Sequence, residues 1–203
     1  SLIYGEGALP LMRLLDIGIQ TADALEAAHE INLIHRDIKS SNILITSRGH
    51  AKVLDFGLAK TVRTIAGSVD HDAPTLTNLT DEGTVLGTAA YMSPEQTRGQ
   101  ALDRRSDLFS LGCVLYEAAT RTLPFSGPSM LAVMHAIATF APPPPSLLRP
   151  ELPKELDQII ERALAPTRAP NRRVGAFDAL RSCAQKDLAQ QLGAGCDCAR
   201  HIL

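Results

Sequence analysis

The sequence lacks most of what marks the specialised protein classes. Its 203 residues carry 20 Lys and Arg against 22 Asp and Glu, a net charge of −2. That near balance excludes a generic polyanion binder, whose affinity draws on excess Lys and Arg, so no nucleic acid partner is expected. No apolar run reaches the roughly 18–20 residues that a spanning helix needs, so no membrane segment is expected in this chain. Cysteine is scarce: Cys113, Cys183, Cys196 and Cys198 do not form a disulfide framework pattern at this length. A reducing, cytoplasmic setting is the expectation. No secretory leader pattern precedes the first helix, and the chain starts at Ser1. The start and the unperiodic end, 193–203, both read as cut from something longer, which leaves open a membrane anchor in a longer parent. Hydrophobic residues make up 45% of the chain, which excludes disorder throughout and supplies a core for one domain or part of one.

What is present is mostly helical patterning. Pro10 followed by Leu11, Leu14, Leu15, Gly18, Ala22, Leu25 and Ala28 predicts a long amphipathic helix to about Glu30. A polar stretch, His35 to Asn42, follows. Ile43-Leu44-Ile45 and Ala51-Lys52-Val53-Leu54 flank a turn at Ser47-Arg48-Gly49 and predict a small hairpin. Residues 58–90 are rich in threonine and glycine with little apolar pattern, as expected of a functional or disordered loop. From about Arg105 to Ala119 apolar residues nearly encircle a helix, predicting a buried central one. Further helices are expected near 129–138, from Pro153 through Leu164, and over 176–192. Pro142 to Pro145 predict a stiff extended connector. The fold class is therefore mainly α with a small β-hairpin.

The chemistry concentrates in two places. His35, Arg36, Asp37, Lys39 and Asn42 crowd one loop, and Asp55-Phe56-Gly57 follows the second strand. Carboxylates and an amide oxygen suit hard Mg²⁺, and a lysine beside them suits a transferring phosphoryl group. Any of these residues taken singly could be a solvated loop residue. Their combination resembles the protein kinases: His35-Arg-Asp-Ile-Lys-Ser-Ser-Asn42 resembles the catalytic loop, Asp55-Phe56-Gly57 the metal-binding motif, and Ser93-Pro94-Glu95 the end of the activation loop. Gly87-Thr-Ala-Ala-Tyr-Met-Ser-Pro-Glu-Gln96 and Ser106-Asp-Leu-Phe-Ser-Leu-Gly112 are similar to bacterial serine/threonine kinases of the eukaryotic-like type. The motifs occur in the right order over roughly residues 8–190.

The resemblance implies a protein-kinase-like fold, C-terminal lobe only, over 1–192, with 58–95 as the activation and substrate-binding loop and 193–203 as an irregular tail. It implies ATP and Mg²⁺ as cofactors and a protein with Ser or Thr hydroxyls as substrate. By the same resemblance Asp37 accepts or orients the proton of the substrate hydroxyl, and Lys39 contacts the γ-phosphate. Asn42 and Asp55 hold Mg²⁺, and Leu44 lies beneath the adenine. Thr88 links the substrate-binding loop to Asp37. Lys39 and Thr88 are marks of the serine/threonine class. His35 and Phe56 belong to an apolar stack with Gly57 following it, and Asp107 holds the catalytic-loop backbone. Arg36 beside Asp37 implies activation by loop phosphorylation, with Thr75, Thr77, Thr80 and Thr84 as candidates, Thr80 favoured and acidic Asp81 and Glu82 nearby.

Three departures stand out. Ser40 occupies a position where proline is common, which is expected to soften the loop without removing a chemical group. Arg172 and Arg173 compete to pair with Glu95, and spacing to Leu180 favours Arg173. No Gly-rich loop, strand lysine or helix glutamate occurs in these residues, so the missing N-terminal lobe is the expected partner, and the segment alone is expected to transfer phosphate negligibly. Two rival readings are a truncated or pseudokinase-like partner-binding module and a small-molecule phosphotransferase. The intact Asp37, Lys39, Asn42 and Asp55 weigh against the first. Ser93-Pro94-Glu95 and the long loop weigh against the second. Cys196, Cys198 and His201 lack a fourth metal partner and read as incidental.

Overall fold

A computed structural model describes residues 8–56, 87–166 and 175–194 of the chain. The first helix, α1, covers Leu11–Glu30 and buries Leu14, Leu15, Ile17, Gly18, Thr21, Ala22, Leu25 and Ala28, the face its periodicity predicts. It stops in a Schellman arrangement. Leu33 N–H donates to the Ala28 carbonyl (2.9 Å), Asn32 N–H donates to that of His29 (3.0 Å), and Asn32 takes the left-handed backbone (φ 59°) that this cap requires. The sharp exit turns the chain straight into the polar stretch.

A 3₁₀ turn at Ser40–Asn42 leads into β1 (Ile43–Ile45), which pairs antiparallel with β2 (Ala51–Val53) in the register Ile43↔Val53. Leu54 N–H extends the ladder by donating to the Asn42 carbonyl (2.8 Å). The hairpin lies against α1, where Gln20 Oε1 accepts from Ala51 N–H (2.9 Å). A short helix, α2 (Pro94–Thr97), is capped by Ser93: its hydroxyl accepts from Gln96 N–H while Gln96 Oε1 accepts from Ser93 N–H.

The centre of the fold is α3 (Arg104–Thr120), capped by Asp103, with every residue from Ser106 to Thr120 buried. Its surroundings explain its nearly all-round apolar pattern: α1 packs on one side and α6 (Lys154–Ala163) on another, while α7 (Gly175–Ala194) crosses α1 and α6. Between α3 and α6 lie α4 (Met130–Thr139), capped by Ser129, and α5 (Pro145–Leu148). The proline run is therefore not extended to its end, because Pro145, whose missing N–H costs nothing in a first turn, starts a helix. Helix α7 also continues past the expected 192 to Ala194.

Close helix crossing depends on Gly112. A Cβ there would lie 2.8 Å from Ala163 Cβ and 3.1 Å from Leu164 Cδ2. Gly112→Ala is expected to destabilise the fold by about 1–2 kcal/mol, overpacking of about 1–3 being offset by a gain of up to ~1 in helix propensity. A urea-unfolding midpoint at or above wild type would contradict that packing.

Candidate active site

The loop after α1 is hung on α3. Asp107, 1% exposed and in the first turn of α3, accepts from His35 N–H at Oδ2 (2.9 Å) and from Arg36 N–H at Oδ1 (2.8 Å). His29 Nε2, at the end of α1, lies 2.7 Å from the same Oδ2. Three partners thus converge on this one side chain at the N-terminal end of α3. Held this way, Arg36 adopts a left-handed backbone (φ 70°), uncommon for a non-glycine residue. Its carbonyl is tied down in turn by Gln96 Nε2 (2.8 Å).

The reversal at Arg36 presents Asp37. The Asp37 carboxylate Oδ2 lies 3.1 Å from Lys39 Nζ and accepts from Asn42 Nδ2 (3.3 Å). The same Asn42 nitrogen donates to the Asp37 carbonyl (2.8 Å). Lys39 Nζ also donates to Thr88 Oγ1 (3.3 Å), so the lysine spans the loop and the segment that begins at Gly87. Asp37, Lys39, Asn42 and Thr88 thus converge. Asp37 N–H donates to His35 Nδ1 (3.3 Å), leaving His35 Nε2–H to donate to the Leu54 carbonyl (2.8 Å). The imidazole ring lies against Phe56, centroids 4.7 Å apart.

Asp55 follows Leu54 on the far side of the hairpin, exposed and in the left-handed region (φ 57°), which an aspartate tolerates better than most residues. With its nitrogen committed to Asp37, Asn42 keeps Oδ1 for a further partner. An amide oxygen and an exposed carboxylate fit a hard divalent cation. Leu44 and Leu54 are the exposed large apolar residues of the hairpin, 38% and 37% exposed. Glu95 is buried and accepts from Ser106 Oγ (2.9 Å). Its expected partner Arg173 lies outside the described residues, as do Gly57, Thr80 and Thr84. Arg36 Nε is buried without a hydrogen-bond partner among the described residues.

Comparison with known proteins decides the family. The protein kinase domain matches residues 2–183 of the chain. The chain belongs to the protein kinase family. It is 41% identical over 168 residues to the probable serine/threonine-protein kinase PknB of Bifidobacterium longum, covering 83% of this chain and 23% of that protein. Serine/threonine-protein kinase PknB of Mycobacterium tuberculosis is 38% identical over 165 residues, 81% of this chain and 25% of that protein. Tyrosine-protein kinase MasK of Myxococcus xanthus is 41% identical over 165 residues, 77% of this chain and 24% of that protein. The chain spans about a quarter of the length of the curated relatives it matches. The mostly helical architecture with one small hairpin agrees with the kinase-like fold expected from the motifs.

In this kinase lobe several residues at the site make contacts that the sequence reading did not assign. Ser40, expected to soften the loop, is buried, and its hydroxyl donates to Glu117 Oε2 on α3. Tyr91 OH donates to that same oxygen (2.5 Å) and lies 3.2 Å from Ser40 Oγ. No local pattern flags such a cluster, because its members come from a loop, a later segment and a helix. His29 and Gln96 escaped notice for the same reason.

Burial pushes the Glu117 carboxyl up to about 7 from its ordinary 4.5, against a smaller pull from Arg121. Below pH 4.5 both folded and unfolded chains hold this proton, and the group's full contribution to stability is present. As pH rises to about 7 the unfolded chain releases it first, costing the folded state up to about 3 kcal/mol. Glu117→Gln, which has no such proton to lose, is expected to flatten that part of the pH dependence. Urea midpoints between pH 4.5 and 8 check it; equal slopes in both proteins would contradict it.

Proposed function

We propose that this chain is the C-terminal lobe of a serine/threonine protein kinase, whose full-length form transfers the γ-phosphoryl group of Mg-ATP to Ser or Thr hydroxyls of a protein. The observation that carries the reading is the position of Lys39 Nζ between Asp37 Oδ2 (3.1 Å) and Thr88 Oγ1 (3.3 Å). A lysine there would meet the transferring phosphoryl group while Asp37 accepts, or orients, the proton of the attacking hydroxyl. Asn42 Oδ1 and Asp55 would hold Mg²⁺, which when bound supplies charge neutralisation on the phosphates. Leu44 would face the adenine. Catalysis of this kind is chiefly positioning and charge stabilisation, so the pinned backbone at His35 and Arg36 matters as much as the reacting groups.

Arg36 Nε, buried and without a partner among the described residues, supports regulation by an anion from the threonine-rich loop. A phosphate on Thr80, with Thr84 as the next choice, would meet it with a charge-assisted bond. Sparse cysteine is in keeping with a cytoplasmic setting for the lobe.

The test is transfer of γ-labelled phosphate by the full-length protein to protein substrates, followed by identification of the labelled amino acid. Label on Ser or Thr, lost in Asp37→Asn, is the expected result. Label on Tyr would move the acceptor class toward that named for the Myxococcus relative. Transfer to small alcohols and none to protein would overturn the proposal in favour of a small-molecule phosphotransferase.

A further inference from the structure

The catalytic loop is fastened to α3 at two places. Asp107 holds its start through the His35 and Arg36 amides (2.9 and 2.8 Å). Glu117 lies about 15 Å further along the helix, at a rise of roughly 1.5 Å per residue. There it takes the Ser40 hydroxyl, immediately after Lys39 and at the start of the turn that carries Asn42. Asp37 lies between the two fastenings. The second is also shared: Tyr91 donates to the same Glu117 oxygen, and its carbonyl accepts from Ser110 Oγ of α3 (2.7 Å). Ser40, Tyr91 and Glu117 are all buried, at 2%, 9% and 6% exposure, so water does not compete for these bonds.

We infer that Ser40 is a positioning residue for phosphoryl transfer: its hydroxyl on the Glu117 carboxyl locks Lys39 and Asn42 to the central helix and couples the catalytic loop to the substrate-binding segment through Tyr91. The residue does not reach the reacting atoms. It acts by fixing where Lys39 Nζ and the Asn42 amide stand relative to Asp37. A proline at this position would supply stiffness but no donor, so the coupling to Tyr91 depends on the serine. Protonation of Glu117 leaves the cluster joined, since a protonated Oε2 donates to one hydroxyl and the other hydroxyls can rotate to suit. Arg121, Cys113 and Tyr91 are the other charged or titratable groups that bear on this cluster.

The inference rests on the kinase reading, and the experiment separates the two. Steady-state transfer and backbone hydrogen exchange are measured on the full-length protein, wild type, Ser40→Ala and Ser40→Thr. Ser40→Ala is expected to lower kcat roughly tenfold with KM for ATP within about twofold. Exchange should quicken in both 37–42 and 88–92 but not in α6. Ser40→Thr should recover most of the loss. An unchanged kcat, faster exchange throughout including α6, or a threonine variant no better than alanine would overturn the inference. If wild type transfers no phosphate, the kinase reading fails by itself, and exchange still decides: coupled loosening of the two segments upholds the lock and its absence overturns it. Should Ser40→Ala not fold, Tyr91→Phe removes the other hydroxyl from the same oxygen and is read by the same exchange pattern.

Discussion

Asp37→Asn is expected to lower phosphoryl transfer by the full-length protein by a factor on the order of 10²–10⁴, the range that a positioned proton acceptor contributes. The substitution nearly preserves shape, and the Asp37 carbonyl still accepts from Asn42 Nδ2. What is lost is charge. Asparagine cannot take up the hydroxyl proton, and Lys39 Nζ, now 3.1 Å from a carboxylate oxygen, loses its counter-charge and is freer to leave Thr88. The lysine's new freedom should raise KM for ATP less than kcat falls, because the phosphoryl contact matters most in the transition state. The thermal midpoint should hold, since Asp37 is only half-buried and accepts few bonds that an amide cannot. Initial rates and a melting curve on the same preparation check both halves. A rate within about twofold of wild type would remove Asp37 from the proposed role.

The second large effect is on stability. Asp107→Ala is expected to cost about 3–4 kcal/mol, because it strands a buried and a part-buried backbone donor and the His29 ring at once. Asp107 is almost wholly buried, so water cannot substitute for the lost carboxylate without opening the junction of α1 and α3. Asp107→Asn keeps one acceptor oxygen but turns an NH₂ group on a backbone N–H, and should fall between alanine and wild type. Activity should suffer in both, since the left-handed turn at Arg36 is held largely by this carboxylate. Chemical-denaturation midpoints give the size. A loss under about 1 kcal/mol for alanine would mean that the loop carries its own conformation.

Much of this was legible in advance, for identifiable reasons. Helices α1 and α3 follow from the spacing of leucines, since a helix that buries one stripe, or all sides, writes that into its period. The hairpin follows from two short apolar runs around a turn. Asp37, Lys39 and Asn42 stood out because their polar groups crowd one short loop, and Asp55 because it opens a motif that resembles one in protein kinases. Pro145 was read as part of an extended connector, yet proline is also a good first residue of a helix. The Ser40 contact was not legible, because it depends on a carboxylate that local sequence does not reveal.

By itself, then, the sequence determined which polar residue types crowd one loop, in what order, and which stripes of which helices turn inward. These are local matters of spacing and side-chain character. Asp107 apart, which the family resemblance implied, only the tertiary structure decided which side chains serve those residues from a distance. Asp107 and Glu117 are both acidic residues of one helix, yet one binds two backbone amides and the other two hydroxyls. That division arises where α3 meets the catalytic loop. A buried carboxylate takes its role from the donors that packing brings to it, and packing joins residues far apart in the chain.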